Sequence, residues 1–176
     1  SRTIPVAVMF VDIVGFTRAM WNNLTTDTVQ GGSTITQQYA KNAYLTQDQT
    51  YIRKFKELVL SLKLELTLSK DEIMERYLNT IYFGRGAYGV ETAAEAYFGV
   101  SASELTLEQS AVLAAIINSP GAFNPDTNMD ALQDRYAYVL NGMAEEGYIT
   151  EQERDAALAN FPEIEEQSTN ERYKGP

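Results

Sequence analysis

The chain has no cysteine and no histidine among its 176 residues. Without cysteine there is neither a disulfide framework nor a thiolate metal site, and without histidine the commonest metal ligand and the commonest general base are gone. Acid–base chemistry must therefore fall to carboxylates, lysine or tyrosine. No apolar run approaches the roughly 18 to 20 residues that span a bilayer, and the first residues do not resemble a signal peptide. Internal repeats and low-complexity segments are also lacking. What remains is a hydrophobic content of 44%, enough to bury a core of ordinary size in one folded unit.

A net charge of −10 argues against a nucleic-acid partner, and the distribution of charge says more than its sum. Residues 1–70 carry eight Lys or Arg against five acids, whereas residues 71–176 carry six against nineteen. Between Lys41 and Lys70 six basic residues face three acidic ones. A solvated helix face would account for that cluster, and so would a local site for an anionic group such as a phosphate.

Apolar residues recur at spacings of three and four, and strict alternation is rare, so an all-α fold is expected. The spacing predicts helices over 14–24, 34–44, 50–67, 70–79, 88–97, 106–118, 130–145 and 151–159. Ser69 to Glu72, Ser101 to Glu104 and Thr150 to Glu153 each fit the capping box, in which a hydroxyl and a carboxylate satisfy free backbone amides reciprocally. Gly31-Gly32, Gly84-Arg85-Gly86 and Ser119-Pro120-Gly121 mark connectors. Residues 1–161 are expected to form the domain. Residues 162–176, polar and aperiodic, read as a linker leaving it.

Four segments stand out. Gly31-Gly32-Ser33-Thr34-Ile35-Thr36-Gln37-Gln38, followed by Lys41 and Asn42, sets two glycines before a hydroxyl-rich helix start. Backbone amides there could meet an anion, with Ser33 or Thr34 adding hydroxyls. A plain hydroxyl cap explains Ser33 and Thr34 equally well, but does not explain Gln37, Gln38 and Lys41 on the adjoining turns. Arg53, Lys54 and Glu57 form R-K-x-x-E, one helical turn from Arg53 to Glu57, which a surface ion pair would also produce. Lys70 through Tyr77 and Asn79, and the small-residue run opened by Gly86 and Gly89, are explained by packing.

In this order the segments closely resemble family-51 glycosyltransferases, the polymerase domains of class A penicillin-binding proteins and their monofunctional relatives. The resemblance rests on G-G-S-T-I-T-Q-Q-x-x-K-N at Gly31 to Asn42, R-K-x-x-E at Arg53 to Glu57, K-x-x-I-x-x-x-Y-L-N at Lys70 to Asn79, and G-x-x-G-x-x-x-A-A-x-x-Y-F at Gly86 to Phe98. Asn124-Pro125 and the run from Val139 to Thr150 also look like this family. The resemblance implies a lysozyme-like helical fold. It implies a reaction in which the 4-hydroxyl of a lipid II sugar attacks the anomeric carbon of a lipid-linked chain, and undecaprenyl pyrophosphate leaves.

By the same resemblance, Lys41, Arg53 and Lys54 would meet the phosphates and Glu57 would stand as the second glutamate, supporting the donor site. Ser33, Thr34, Gln37, Gln38 and Asn42 would line the cleft, while Lys70, Tyr77, Asn79, Gly86 and Gly89 would be structural. No tightly bound cofactor is implied, although a divalent cation (Mg or Mn) could assist at the pyrophosphate. The implied partners are lipid II, the lipid-linked glycan chain, the membrane surface and other cell-wall synthesis proteins. The implied place is the extracytoplasmic face of the cell membrane, with an anchoring helix before Ser1 and a transpeptidase after Pro176.

The sequence departs from the family at its first motif, E-D-x-x-F-x-x-H-x-G, which holds the glutamate assigned as general base. Ile4 to Phe10 resemble its lead-in and Val11 to Gly15 its exit, joined directly. The expectation is a mobile segment of roughly ten residues that belongs between Phe10 and Val11, as active-site loops often have such segments. A true deletion is the alternative, and with it an inactive domain that binds lipid II or serves as a scaffold.

Overall fold

The computed structural model describes residues 35–45 and 51–166; at Tyr51–Phe55, Glu57, Leu58 and Lys70 it describes the backbone alone. The helix expected over 14–24, the hydroxyls of Ser33 and Thr34 and the junction at Phe10 and Val11 lie outside the described residues.

The element order is α1 (Ile35–Tyr44), α2 (Tyr51–Thr67), α3 (Lys70–Leu78), β1 (Tyr82–Gly84), β2 (Ala87–Tyr88), α4 (Val90–Phe98), a 3-10 turn (Ala102–Glu104), α5 (Leu107–Asn118), α6 (Met129–Glu145) and α7 (Glu151–Ala159). The fold is helical, as the spacing of apolar residues predicts. One feature was not predicted: β1 and β2 pair antiparallel across the Gly84-Arg85-Gly86 turn. Two such short strands are too brief for alternation to show, so the helix expected from residue 88 begins at Val90 instead.

The core is organised around α5, where seven consecutive residues, Ser110 to Ile116, are buried. A helix covered on all sides needs neighbours all round, and α6, β1 and α4 supply them. Ser110 is tolerated at full burial because its hydroxyl donates to the Thr106 carbonyl at 2.7 Å. Tyr97 and Tyr136 are also buried, and each phenol reaches a carbonyl: Tyr97 donates to Phe83 at 2.8 Å and Tyr136 to Ala157 at 2.9 Å. Buried aromatic bodies with a satisfied polar tip cost little.

Helix starts follow the predicted caps with one relocation. Ser69 and Thr150 cap α3 and α7 reciprocally with Glu72 and Glu153. Ser101 and Glu104 pair in the same manner, but around the 3-10 turn. The helix that follows is capped by Thr106, whose hydroxyl accepts from the Gln109 N–H while Gln109 Oε1 accepts from the Thr106 N–H. Glutamine in place of glutamate serves the same geometry.

After α7 the chain stays on the domain as far as Glu166. Phe161 meets Tyr136 edge to face at 5.0 Å between ring centroids, and the Glu165 N–H donates to the Tyr97 carbonyl at 2.9 Å. Arg85 completes this attachment. Its side chain is 3% exposed, it donates to the carbonyls of Ala96 and Glu165, and it forms a bidentate pair with Asp126 while its guanidinium lies 4.5 Å from the Tyr97 ring centroid.

Candidate functional site

The first candidate segment enters the structure as α1. Its buried residues are Thr36, Tyr39 and Ala40, which pack it against α2 and α3. At 100° per residue, Gln37, Lys41, Gln38 and Asn42 fall within one arc on the remaining surface. Gln37 and Gln38 are half-buried, and Lys41 and Asn42 are exposed. An apolar floor, two amides at mid-depth and a cation at the rim make a graded polar face, suited to a ligand that is hydroxyl-rich at one part and anionic at another.

Helix α2 lies alongside α1, and its first turn contains Arg53 and Lys54. Glu57 follows Arg53 by one turn on the same helix, so the R-K-x-x-E segment occupies a helix start, where free backbone N–H groups already favour an anion. Neither α1 nor α2 has an acidic residue in its first turn. Farther along α2, Ser61 and Leu64 are buried while Val59, Leu62 and Leu66 are exposed.

The third segment, α3, joins the first directly. The Tyr77 hydroxyl donates to Gln38 Oε1 at 3.1 Å, across 39 positions of sequence. Burial pushes the Tyr77 phenol up to about 12, so it keeps its proton, and remains a donor, throughout the neutral range. Sequence spacing assigned Tyr77 to packing alone. Its burial fits that, but its bond to Gln38 could not be read from periodicity, because periodicity describes one helix at a time.

The fourth segment locks α3 from below. Asn79 is the C-cap of α3, and Gly89 sits against it with φ at +87°. A Cβ on Gly89 would stand 2.7 Å from the Asn79 carbonyl oxygen, so both the backbone angle and the space demand glycine. Gly86 also has positive φ, at +77°, but open space around it, and serves the hairpin turn. Lys70 is the first residue of α3. Of the predicted residues, then, Gln37, Gln38, Lys41, Asn42 and Tyr77 are brought together, Asn79 and Gly89 brace them, and Arg53, Lys54 and Glu57 lie on the neighbouring helix.

Comparison with known proteins identifies the family. The profile of a family described as transglycosylase matches residues 10–144. Penicillin-binding protein 1A of Neisseria flavescens is 48% identical over 149 residues, covering 84% of this chain and 19% of its own length. A putative transglycosylase of Cupriavidus necator is 46% identical over 148 residues, covering 84% of this chain and 64% of its own. The crystal structure of penicillin-binding protein 1A from Haemophilus influenzae is 30% identical, with a TM-score of 0.48 over 74% of this chain and 16% of that one. The chain thus spans about a fifth of the penicillin-binding proteins it resembles.

Proposed function

The chain belongs to the transglycosylase family, and from that premise we propose that it polymerises lipid II into glycan strands, releasing undecaprenyl pyrophosphate. The observation that carries this reading is the polar arc of Gln37, Gln38, Lys41 and Asn42 on α1, packed beside a helix whose first turn contains Arg53 and Lys54. Leaving-group departure puts negative charge on a pyrophosphate. Three cations, Lys41, Arg53 and Lys54, would neutralise it, and such stabilisation is worth most where it is already in place before the bond breaks. The amides of Gln37 and Gln38 suit sugar hydroxyls, with Ser33 and Thr34 adjoining them in sequence. Glu57, one turn beyond Arg53, would hold the cation cluster in order.

A divalent cation would find no ready cage among the described residues, since no group of three or more Asp, Glu, His or Cys could hold one there. Magnesium or manganese, if bound, would assist at the pyrophosphate. The proposed setting is the extracytoplasmic membrane face, where the lipid-linked substrate resides. Among the described residues no helix is long and apolar enough to cross a membrane.

Inverting transfer needs a carboxylate to take the proton of the attacking 4-hydroxyl. The family's first motif, which would supply it, has no counterpart in this sequence. That observation favours a second reading, a domain that binds lipid-linked precursor without turning it over. Incubation with labelled lipid II in detergent, read for glycan strands on a gel and for bound lipid by calorimetry, separates the two. Strands that disappear in Lys41→Ala support the polymerase. Binding without strands supports the second reading, and neither binding nor strands would overturn both.

A further inference from the structure

We infer that Tyr82 and Tyr88 form a stacking platform for the uncharged sugar rings of a glycan strand. They face each other across the hairpin, Tyr82 on β1 and Tyr88 on β2, with ring centroids 4.8 Å apart and planes tilted by 41°. Their chain neighbours Phe83 and Ala87 are buried, so one face of the hairpin holds it to the core. The other face presents the two tyrosines, 40% and 67% exposed. Folding thus leaves much of both rings in water, and a ligand that covered them would relieve that exposure.

The chemistry around the pair selects its occupant. From Asn79 to Gly89 the one charged side chain is Arg85, which is 3% exposed and neutralised by Asp126. A hairpin face without free charge has nothing to hold a phosphate or an anionic lipid headgroup. A sugar ring suits what is there, since its apolar C–H faces match the aromatic faces and its hydroxyls match the phenol groups. The platform is also fixed before anything binds. The Gly86 N–H donates to the Tyr82 hydroxyl oxygen at 3.4 Å, the Gly89 N–H donates to the Ile81 carbonyl at 2.9 Å, and Gly89 is seated on Asn79. Tyr82 follows Tyr77 of α3 by five residues, which keeps the two within about 18 Å, a span that several linked sugar rings cover. That the strand is one made by this chain rests on the polymerase reading, whereas the affinity of the pair for sugar does not.

The test uses the whole chain and a soluble tetramer of β-1,4-linked N-acetylglucosamine, followed by NMR. The ring signals of Tyr82 and Tyr88 should shift on titration. Tyr88→Phe should bind within about twofold of the parent chain, and Tyr88→Ala about tenfold more weakly. Rings that do not shift, or equal binding by Tyr88→Ala, would overturn the inference. A lowered melting temperature in Tyr88→Ala with tetramer binding intact would do the same, assigning the pair to cross-strand stability alone. So would binding to phosphatidylcholine vesicles that depends on Tyr88 while the tetramer is ignored, which would make the pair a lipid contact. Tetramer binding requires neither lipid II nor turnover, so it survives a failure of the polymerase reading. Conversely, strand synthesis by a chain whose tyrosines ignore the tetramer removes the platform and leaves that reading in place.

Discussion

Helices α1 and α2 begin without an acidic residue in their first turns, whereas α3 through α7 each begin with at least one. Acids at a helix start interact favourably with the free N–H groups there. The later helices take that stabilisation from acids in their first turns, and the earlier two do not. Burial is most complete in α5. The α5 helix is covered over seven consecutive residues, while the described surface of α1 and α2 includes exposed Tyr44, Val59, Leu62 and Leu66. The molecule therefore sets helices with an acid in the first turn, gathered around the buried α5, beside two helices that have none there.

If that separation holds, the largest stability loss should come from the packed half. Leu113 is fully buried in α5, and Leu113→Ala should cost about 2 to 5 kcal/mol in urea unfolding by lost transfer energy and an unfilled cavity. Lys41→Ala, on an exposed position of α1, should leave the urea midpoint in place while abolishing the charge-dependent part of lipid II binding. Equal stability losses from the two would break the comparison.

Gly89→Ala tests the brace between the halves. With φ at +87° and a carbonyl at 2.7 Å, it should cost roughly 1 to 3 kcal/mol and should weaken ligand binding as well, since α3 carries Tyr77. Retained binding at lowered stability would confine Gly89 to the scaffold.

The smallest effect concerns acid. Hydrogen bonds from the Ser69, Ser101 and Thr150 caps hold the carboxyls of Glu72, Glu104 and Glu153 below the ordinary carboxylate value. A depressed folded-state value contributes stability that is present above the unfolded value, near 4.5, and is lost as pH falls through the folded one. Thr150→Ala should accordingly lower the melting temperature slightly at pH 7, with the difference from the parent chain shrinking toward pH 3. A difference that persists undiminished at pH 3 would assign the cap to the hydroxyl alone.

Much of the helical plan was legible because capping boxes and apolar spacing are local signals: α7 was predicted at its observed bounds, α3 to within one residue, and α1 and α2 at their observed C-terminal ends, their predicted first residues lying outside the described ones. The hairpin was not legible, since three residues paired with two leave no alternation to read. The polar arc of α1 follows from helical spacing alone. Its coupling to Tyr77, and the seat of Asn79 under Gly89, are tertiary contacts that join segments far apart in sequence, and no single-helix pattern contains them.

The attachment of Glu165 to Tyr97 and Arg85 acts as a non-covalent cross-link. It closes the chain from the end of α4 to the segment after α7 into a loop that encloses α5, α6 and α7. Neither α6 nor α7 can peel away from the C-terminal side until Arg85 releases, so fraying from that end should be concerted with the hairpin rather than gradual. A pull applied beyond Glu166 would be borne first at the hairpin turn, in the middle of the sequence, and only afterwards by the last helix.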